Sequence, residues 1–320
     1  MRAIVITENG GPEVLVPADR PDPEPGPGEV VIDVAVAGIN FVDVYFRTGA
    51  YPRDLPFTPG VEAAGTITAV GEGVQDLAVG DRVASSDVDG AYAEQAVIRA
   101  DRAVPVPDGV SLEDAAATLL QGMTAHYLTR STYPIQEGDA VLVHAGAGGM
   151  GLLLTQLAKT LGARVFATAS TPEKEKLARD AGADATMGYD GFADRVRELT
   201  GGEGVAAVYD GIGAPTFEGS LASLRPRGVL ALYGAAGGKV PPFDPQRLNP
   251  AGSLFLTRPN LSHYVATRDE LLERAADVFG WVASGDLGIR IGHRYGLAEA
   301  GAAHADLEAR RTTGKLLLIP

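Results

Sequence analysis

"VHAGAGGMGLLLTQLAK", residues 143–159, passes from an apolar strand through a glycine loop into an apolar helix. Gly146, Gly148 and Gly151 spell G-x-G-x-x-G, and a second strand, "RVFATAS" (164–170), follows after the helix. In that setting glycines let the backbone turn tightly against a pyrophosphate, and the helix N-terminus offers free N–H groups and a positive dipole end. A glycine turn that merely lets strand and helix pack closely is the alternative. The complete strand–loop–helix–strand frame favours dinucleotide binding.

The end of the second strand bears on which dinucleotide. NAD sites usually place Asp or Glu there to bond the ribose 2′-hydroxyl. No carboxylate occupies positions 165–172. Ser170 can donate to a 2′-phosphate and Lys174 can add charge, although a lysine in a first helical turn is commonly just solvated. This points to NADPH.

Working outward, alternation continues on the C-terminal side. Thr171 and Pro172 form an N-cap and N1 pair before "EKEKLARDAG", which Gly182 stops. "DATMGY" (184–189), "VAAVYDGIG" (205–213) and "GVLALYGAAGG" (228–238) continue the series. Such βαβαβ alternation predicts an α/β fold with a doubly wound parallel sheet. The N-terminal third reads differently. "RAIVITE" (2–8), residues 30–40, 63–71, 81–86 and 92–98 are short strand-like runs between glycine turns, which suggests a small β-rich domain. Prolines at 17, 21, 23, 25 and 27 make an extended connector. Ser111 with Asp114 predicts a capping box before an alanine-rich helix. Residues 268–285 form an amphipathic helix and "GKLLLIP" (314–320) an apolar strand.

Composition narrows the chemistry. The 320 residues carry 41 acidic against 27 basic side chains, a net charge of -14. Nucleic acids and anionic membranes, which recruit cations, are poor partners for such a chain. No run reaches the roughly 18 apolar residues of a membrane span, and "MRAIVITENGG" lacks a leader-like core, so a soluble cytoplasmic protein is expected. The chain has no cysteine, which removes thiolate zinc sites, disulfides and cysteine nucleophiles. The histidines at 126, 144, 263, 293 and 304 show no metal-pair spacing, and His144 reads as structural. No G-x-S-x-G elbow appears. A metal-free oxidoreductase must polarise its substrate with hydrogen-bond donors or use an acceptor that needs little help, such as a quinone.

With "PGPGEV" (25–30), "GINFVDVYFRTGAYP" (38–52), "PGVEAAGTITAVGEGV" (59–74), "VGDRV" (79–83), "GAYAE" (90–94), "GMTAHYL" (122–128), "HAGAGGMG" (144–151), "VYDGIG" (208–213), "GSLFLTRPNL" (252–261) and "GKLLLIP", the chain resembles the zinc-free medium-chain dehydrogenases/reductases. Within them it is similar to the bacterial NADPH:quinone oxidoreductases related to zeta-crystallin. The likeness covers nearly the whole length. Where zinc-dependent relatives carry a ligand histidine before a glutamate, this chain has Val61 before Glu62.

The resemblance implies a GroES-like catalytic domain (1–122, completed by 263–320) and an NADPH-binding Rossmann domain (123–262). It also implies a homodimer and a nicotinamide held between the domains. Matched residue by residue, it places Asn40, Phe41, Asp43 and Tyr45 beside the nicotinamide, with Tyr127 near the cofactor. Gly148, Gly149, Met150 and Gly151 fall at the pyrophosphate, Ser170 and Lys174 at the 2′-phosphate, and Tyr189 at the adenosine ribose. Gly211, Tyr233, Gly234, Arg258 and Asn260 fall on later cofactor loops, and Arg310 occupies a C-terminal arginine position. Two departures stand out. Relatives often have Ser or Thr after the aspartate of "VYD", where this chain has Gly211, and "YGAAGG" lacks the hydroxyl or amide residues that some relatives carry there.

Tyr45, Tyr51 and Asn40 are the polar candidates on the substrate side. Either tyrosine could donate to a quinone oxygen or simply pack the wall. Asn40 could orient an amide or act as a turn residue, and Asp43 reads as a loop or cap residue rather than an acid. The expected activity is quinone reduction by NADPH. Reduction of an alkenal or enone double bond, or a non-catalytic NADPH-binding role, are the alternatives.

Overall fold

The computed structural model describes residues 1–320, and the backbone divides into two compact units: residues 1–123 with 265–320, and residues 124–264. The first unit begins with β1 (Arg2–Val5) and β2 (Val16–Asp19), an antiparallel pair. It continues through β3 (Glu29–Ile39), α1 (Phe41–Arg47), β4 (Glu62–Val70), β5 (Arg82–Ser85), β6 (Gln95–Arg99), β7 (Val104–Pro105) and α2 (Leu112–Tyr127), whose last residues belong to the second unit. That unit alternates β8 (Ala140–Val143), α3 (Gly149–Thr160), β9 (Arg164–Thr168), α4 (Pro172–Asp180), β10 (Ala185–Met187), α5 (Phe192–Leu199), β11 (Val205–Asp210), α6 (Phe217–Ser223), β12 (Leu224–Leu232) and β13 (Phe255–Thr257). The chain then returns to the first unit with α7 (Arg268–Ser284), β14 (Ile291–Gly296), α8 (Ala300–Glu308) and β15 (Lys315–Ile319).

The second unit is a doubly wound sheet. Its strands run in the order β10-β9-β8-β11-β12-β13, and every pairing is parallel. All six residues of β11, "VAAVYD", are buried, as a central parallel strand covered on both faces requires. Phe166, Val208, Leu230 and Phe217 lie in the core beneath the helices. The order reverses between β8 and β11, and ligands of open α/β sheets bind outside the strand ends at such a switch.

In the first unit a seven-stranded sheet has the order β14-β15-β3-β4-β5-β7, with β6 also paired to β3. β3 alternates exposed Asp33 and Ala35 with buried neighbours, then is buried throughout 36–39, where β15 pairs with it. Ile4, Ile32, Tyr92 and Leu316 are among its core residues.

Several local expectations need revision. Ser111 caps α2 differently from a capping box: its hydroxyl accepts the Asp114 N–H (3.0 Å) and bonds the Asp114 carboxylate (2.7 Å). The strand expected over 92–98 begins only at Gln95; before it the backbone of Tyr92 and Glu94 bonds instead to Pro59, Ile4, Arg2 and Val34. Helices α1, α5, α6 and α8 and strand β14 add to the elements expected from the sequence.

Candidate functional site

In the second unit each strand's carboxyl end carries predicted residues, and parallel strands put all those ends on one edge of the sheet. Gly148–Gly151 follow β8; Ser170 and Lys174 follow β9; Tyr189 follows β10; Gly211 follows β11; Tyr233 and Gly234 follow β12; Arg258 and Asn260 follow β13. Thus the sheet topology collects residues separated by more than a hundred positions.

Gly148 is the N-cap of α3, extended and with no side-chain cap, and Gly148, Gly149 and Met150 are all partly exposed. A Cβ on Gly151 would collide with the Ala145 carbonyl, so only glycine lets α3 start this close to the loop. The uncapped, accessible helix start fits a pyrophosphate. At the end of β9, Ser170 is exposed and Thr171 accepts the Lys174 N–H (3.3 Å). Sequence reasoning missed Glu173, one residue outside the window searched for acids. Its carboxyl lies below the usual range because it accepts its own backbone N–H and the Thr171 hydroxyl.

Behind the glycine loop lies a buried polar knot. Asp210 can only accept, so Ser220 donates to it (2.8 Å); Ser220 Oγ then accepts the His144 Nε2–H (2.9 Å). His144 Nδ1 accepts from Thr168 (2.9 Å). Burial drives His144 down to about 4, which keeps it neutral and structural. The Asp210 carboxylate also takes the N–H groups of Ile212 (2.8 Å) and Gly213 (3.0 Å) and the Thr216 hydroxyl (2.8 Å), fixing the loop after β11. The half-buried Tyr189 ring stacks near His144 (6.3 Å). Tyr127 is buried and stacked on Tyr264, centroids 4.1 Å apart and 6° from parallel. Arg258 and Asn260 are exposed, and Asn260 caps a turn by accepting the Ser262 N–H (3.1 Å).

The first unit holds the other candidates. Phe41, Tyr45 and Tyr51 form an aromatic strip, with Tyr45–Tyr51 centroids 5.1 Å apart and Phe41–Tyr45 centroids 6.4 Å apart. Arg310 is exposed, in a left-handed turn after α8. Asn40 is buried, and its amide is fully engaged. Nδ2 donates to Glu62 (2.8 Å) and the Gly38 carbonyl (3.3 Å); Oδ1 accepts from Lys315 (2.8 Å) and Gln121 (3.2 Å). It therefore anchors this unit and has no hydrogen-bonding capacity left to orient a ligand. Lys315 also donates to Glu62 (2.6 Å), and Leu120 N–H meets the other Glu62 oxygen (2.7 Å).

Asp43 is wholly buried. It accepts the Asn40 N–H (2.9 Å), half of a capping box on α1, and the Tyr92 hydroxyl (3.1 Å). Its second oxygen has no partner. Burial raises its carboxyl to about 7 despite those bonds. The chain of donors is directed. Arg47 can only donate, so His304 Nδ1 accepts from it (3.2 Å), and Nε2–H donates to the Tyr92 oxygen (3.0 Å). Burial and Arg47 together lower His304 to about 3. Arg47 ends the chain on Glu308, with bonds of 2.9 and 2.8 Å. Of Glu62, Tyr92, His304 and Lys315, the sequence drew attention to Glu62 beside Val61 and to His304 among the histidines, but gave neither these roles nor these partners.

A family model described as "Alcohol dehydrogenase GroES-like domain" matches residues 26–108, and one described as "Zinc-binding dehydrogenase" matches residues 149–278. The chain is 45% identical to a quinone oxidoreductase of Pseudomonas aeruginosa, over 100% of this chain and 99% of that protein. It is 41% identical to a 2-haloacrylate reductase of a Burkholderia species, over 99% of this chain and 98% of that protein. Among solved structures it matches a mycobacterial protein complexed with NADPH, with a TM-score of 0.98, 55% identity and 100% coverage of both chains.

Proposed function

Since the chain belongs to the quinone oxidoreductases of the zinc-free medium-chain dehydrogenase/reductase family, we propose that it is an NADPH-dependent quinone reductase working without a metal. The observation that carries this reading is the glycine cradle at the switch point, beside a β9 followed by Ser170 rather than a carboxylate. The whole-length likeness to a quinone oxidoreductase supports the acceptor. NADPH, when bound, supplies a hydride equivalent that, with a proton from solvent, converts a quinone to its hydroquinone. The backbone of Gly148–Gly151 binds the pyrophosphate, and Ser170 and Lys174 hold the 2′-phosphate. Tyr189, Gly211, Tyr233, Gly234, Arg258 and Asn260 line the rest of the cradle, with Tyr127 behind it. Tyr45 and Tyr51 are the donors to the quinone oxygen, and Asn40 and Asp43 hold α1 in place for them. Phe41 adds apolar surface, and Arg310 adds a cation for a phosphate. Because aromatisation drives quinone reduction, no dedicated protein acid is required.

A homodimer and a cytoplasmic location belong to the same proposal. β13 is an edge strand of the six-stranded sheet, and its Phe255 is 60% exposed, a surface suited to a second copy. The likeness to a 2-haloacrylate reductase supports one second reading, addition of hydride to an activated double bond.

The test is NADPH oxidation with para-quinones, ortho-quinones, alkenals, 2-haloacrylates and simple aldehydes side by side. Turnover of quinones with little on the alkenes supports the proposal. Turnover of an alkene alone would refute it in favour of the second reading, and NADPH binding without any turnover would point to a non-catalytic role.

A further inference from the structure

Gly211 and Tyr233 begin the loops after two adjacent parallel strands, β11 and β12. Those loops are laced together: Tyr233 N–H donates to the Asp210 carbonyl (2.9 Å), and Ala236 N–H to the Gly211 carbonyl (3.0 Å). The Asp210 carboxylate holds the first loop through the two N–H bonds described above. A Cβ placed on Gly211 would lie 2.8 Å from both Cζ and Oη of Tyr233. The phenol end therefore occupies the space where a side chain at 211 would begin. Both residues are half-buried.

Position 211 has no side chain with which to hydrogen-bond, and the neighbouring strand delivers a hydroxyl to within hydrogen-bonding range of the same place. We propose that Tyr233 Oη supplies the side-chain hydroxyl of this part of the cradle, and that Gly211 and Tyr233 work as a coupled pair in which bulk at one requires its absence at the other. The second half of a doubly wound sheet receives the second mononucleotide. The hydroxyl accordingly donates to an oxygen of the cofactor's ribose–nicotinamide half. This inference rests on the NADPH reading.

A double-mutant cycle on the full-length protein tests it, with NADPH affinity measured by titration and the quinone KM measured alongside. Tyr233→Phe keeps the ring and removes only the hydroxyl. It is expected to weaken NADPH binding about 3- to 10-fold, the range for one neutral hydrogen bond, with any change in the quinone KM smaller than that. Gly211→Ser alone is expected to weaken binding, because it displaces the phenol. In a Tyr233→Ala background the same serine is expected to restore most of what the alanine lost. Wild-type affinity in Tyr233→Phe, or the same effect of Gly211→Ser in both backgrounds, would overturn the pair while leaving the cofactor reading intact. Failure of the wild-type chain to bind NADPH would overturn the cofactor reading and the pair with it.

Discussion

Replacing Lys315 by Met should cost far more than a surface ion pair of the same geometry. Lys315 and Glu62 are 2.6 Å apart, with side chains 2% and 0% exposed. Arg2 and Glu94 are 2.8 Å apart, but 68% and 35% exposed. Distance barely separates the two pairs, so solvent decides. Breaking an exposed pair costs about 0–1 kcal/mol. Removing one partner of a buried pair costs about 3–5 kcal/mol, because a charge is left without compensation. Glu62 would keep its bonds from Asn40 and Leu120 N–H, which argues for about 3 kcal/mol in Lys315→Met. For a unit of this size that is a fall in Tm of about 6–12 °C. The assay is thermal and urea unfolding followed by the single tryptophan, Trp281, which lies on α7 in the same unit. Adding Glu62→Gln should return part of the loss, since the stranded charge is then gone. A Lys315→Met protein melting within about 1 °C of wild type, or strictly additive single mutants, would refute the reasoning.

The Asp43–Tyr92–His304 chain predicts compensating pH effects. Asp43 is raised from 3.8 to about 7, so the fold loses stability as pH rises through that window. His304 is lowered from 6.5 to about 3, so the fold loses stability as pH falls through that one. Where the windows overlap the two oppose each other, so relative to wild type by Trp281 fluorescence Asp43→Asn should lose more stability on acidification and His304→Gln more on alkalinisation, each by up to about 1.4 kcal/mol per pH unit. Equal slopes in all three proteins would contradict this. Gly151→Ala should abolish saturable NADPH binding, and an unchanged dissociation constant would remove the cradle from the cofactor site. Lys174→Ala should weaken NADPH binding by about 1–3 kcal/mol. Glu173→Gln should tighten it by releasing the Thr171 hydroxyl and removing a like charge; the reverse order in a fluorescence titration would place the 2′-phosphate elsewhere.

The doubly wound sheet was legible because local pattern and topology agree there: β8, the glycine loop, α3 and β9 lie within thirty residues and each carries its own signal. α1 was not, because "FVDVYFR" has the aromatic and β-branched composition of a strand. What makes it helical is a local cap, Asp43 turned back on the Asn40 N–H, joined to a long-range bond from the Tyr92 hydroxyl. α8, rich in Ala and Gly, offers no apolar period, and β14, "IGHRYG", is mostly exposed. Asn40 drew attention in the sequence, but its partners Glu62 and Lys315 stand 22 and 275 positions away, and no spacing rule connects them. Glu173 was overlooked for a simpler reason. It sits just past the strand end, while its carboxyl folds back toward it.

The placement of β15 between β14 and β3 also orders events during synthesis. The second unit is one continuous stretch, so its sheet can close while the chain is still being made. The first unit waits. β3 emerges early with one flank unpaired, and Glu62 and Asn40 lack their cation until residue 315 arrives. A nascent chain therefore carries a finished nucleotide-binding fold beside an open sheet edge. That edge is the surface a chaperone would need to shield until the final strand closes it.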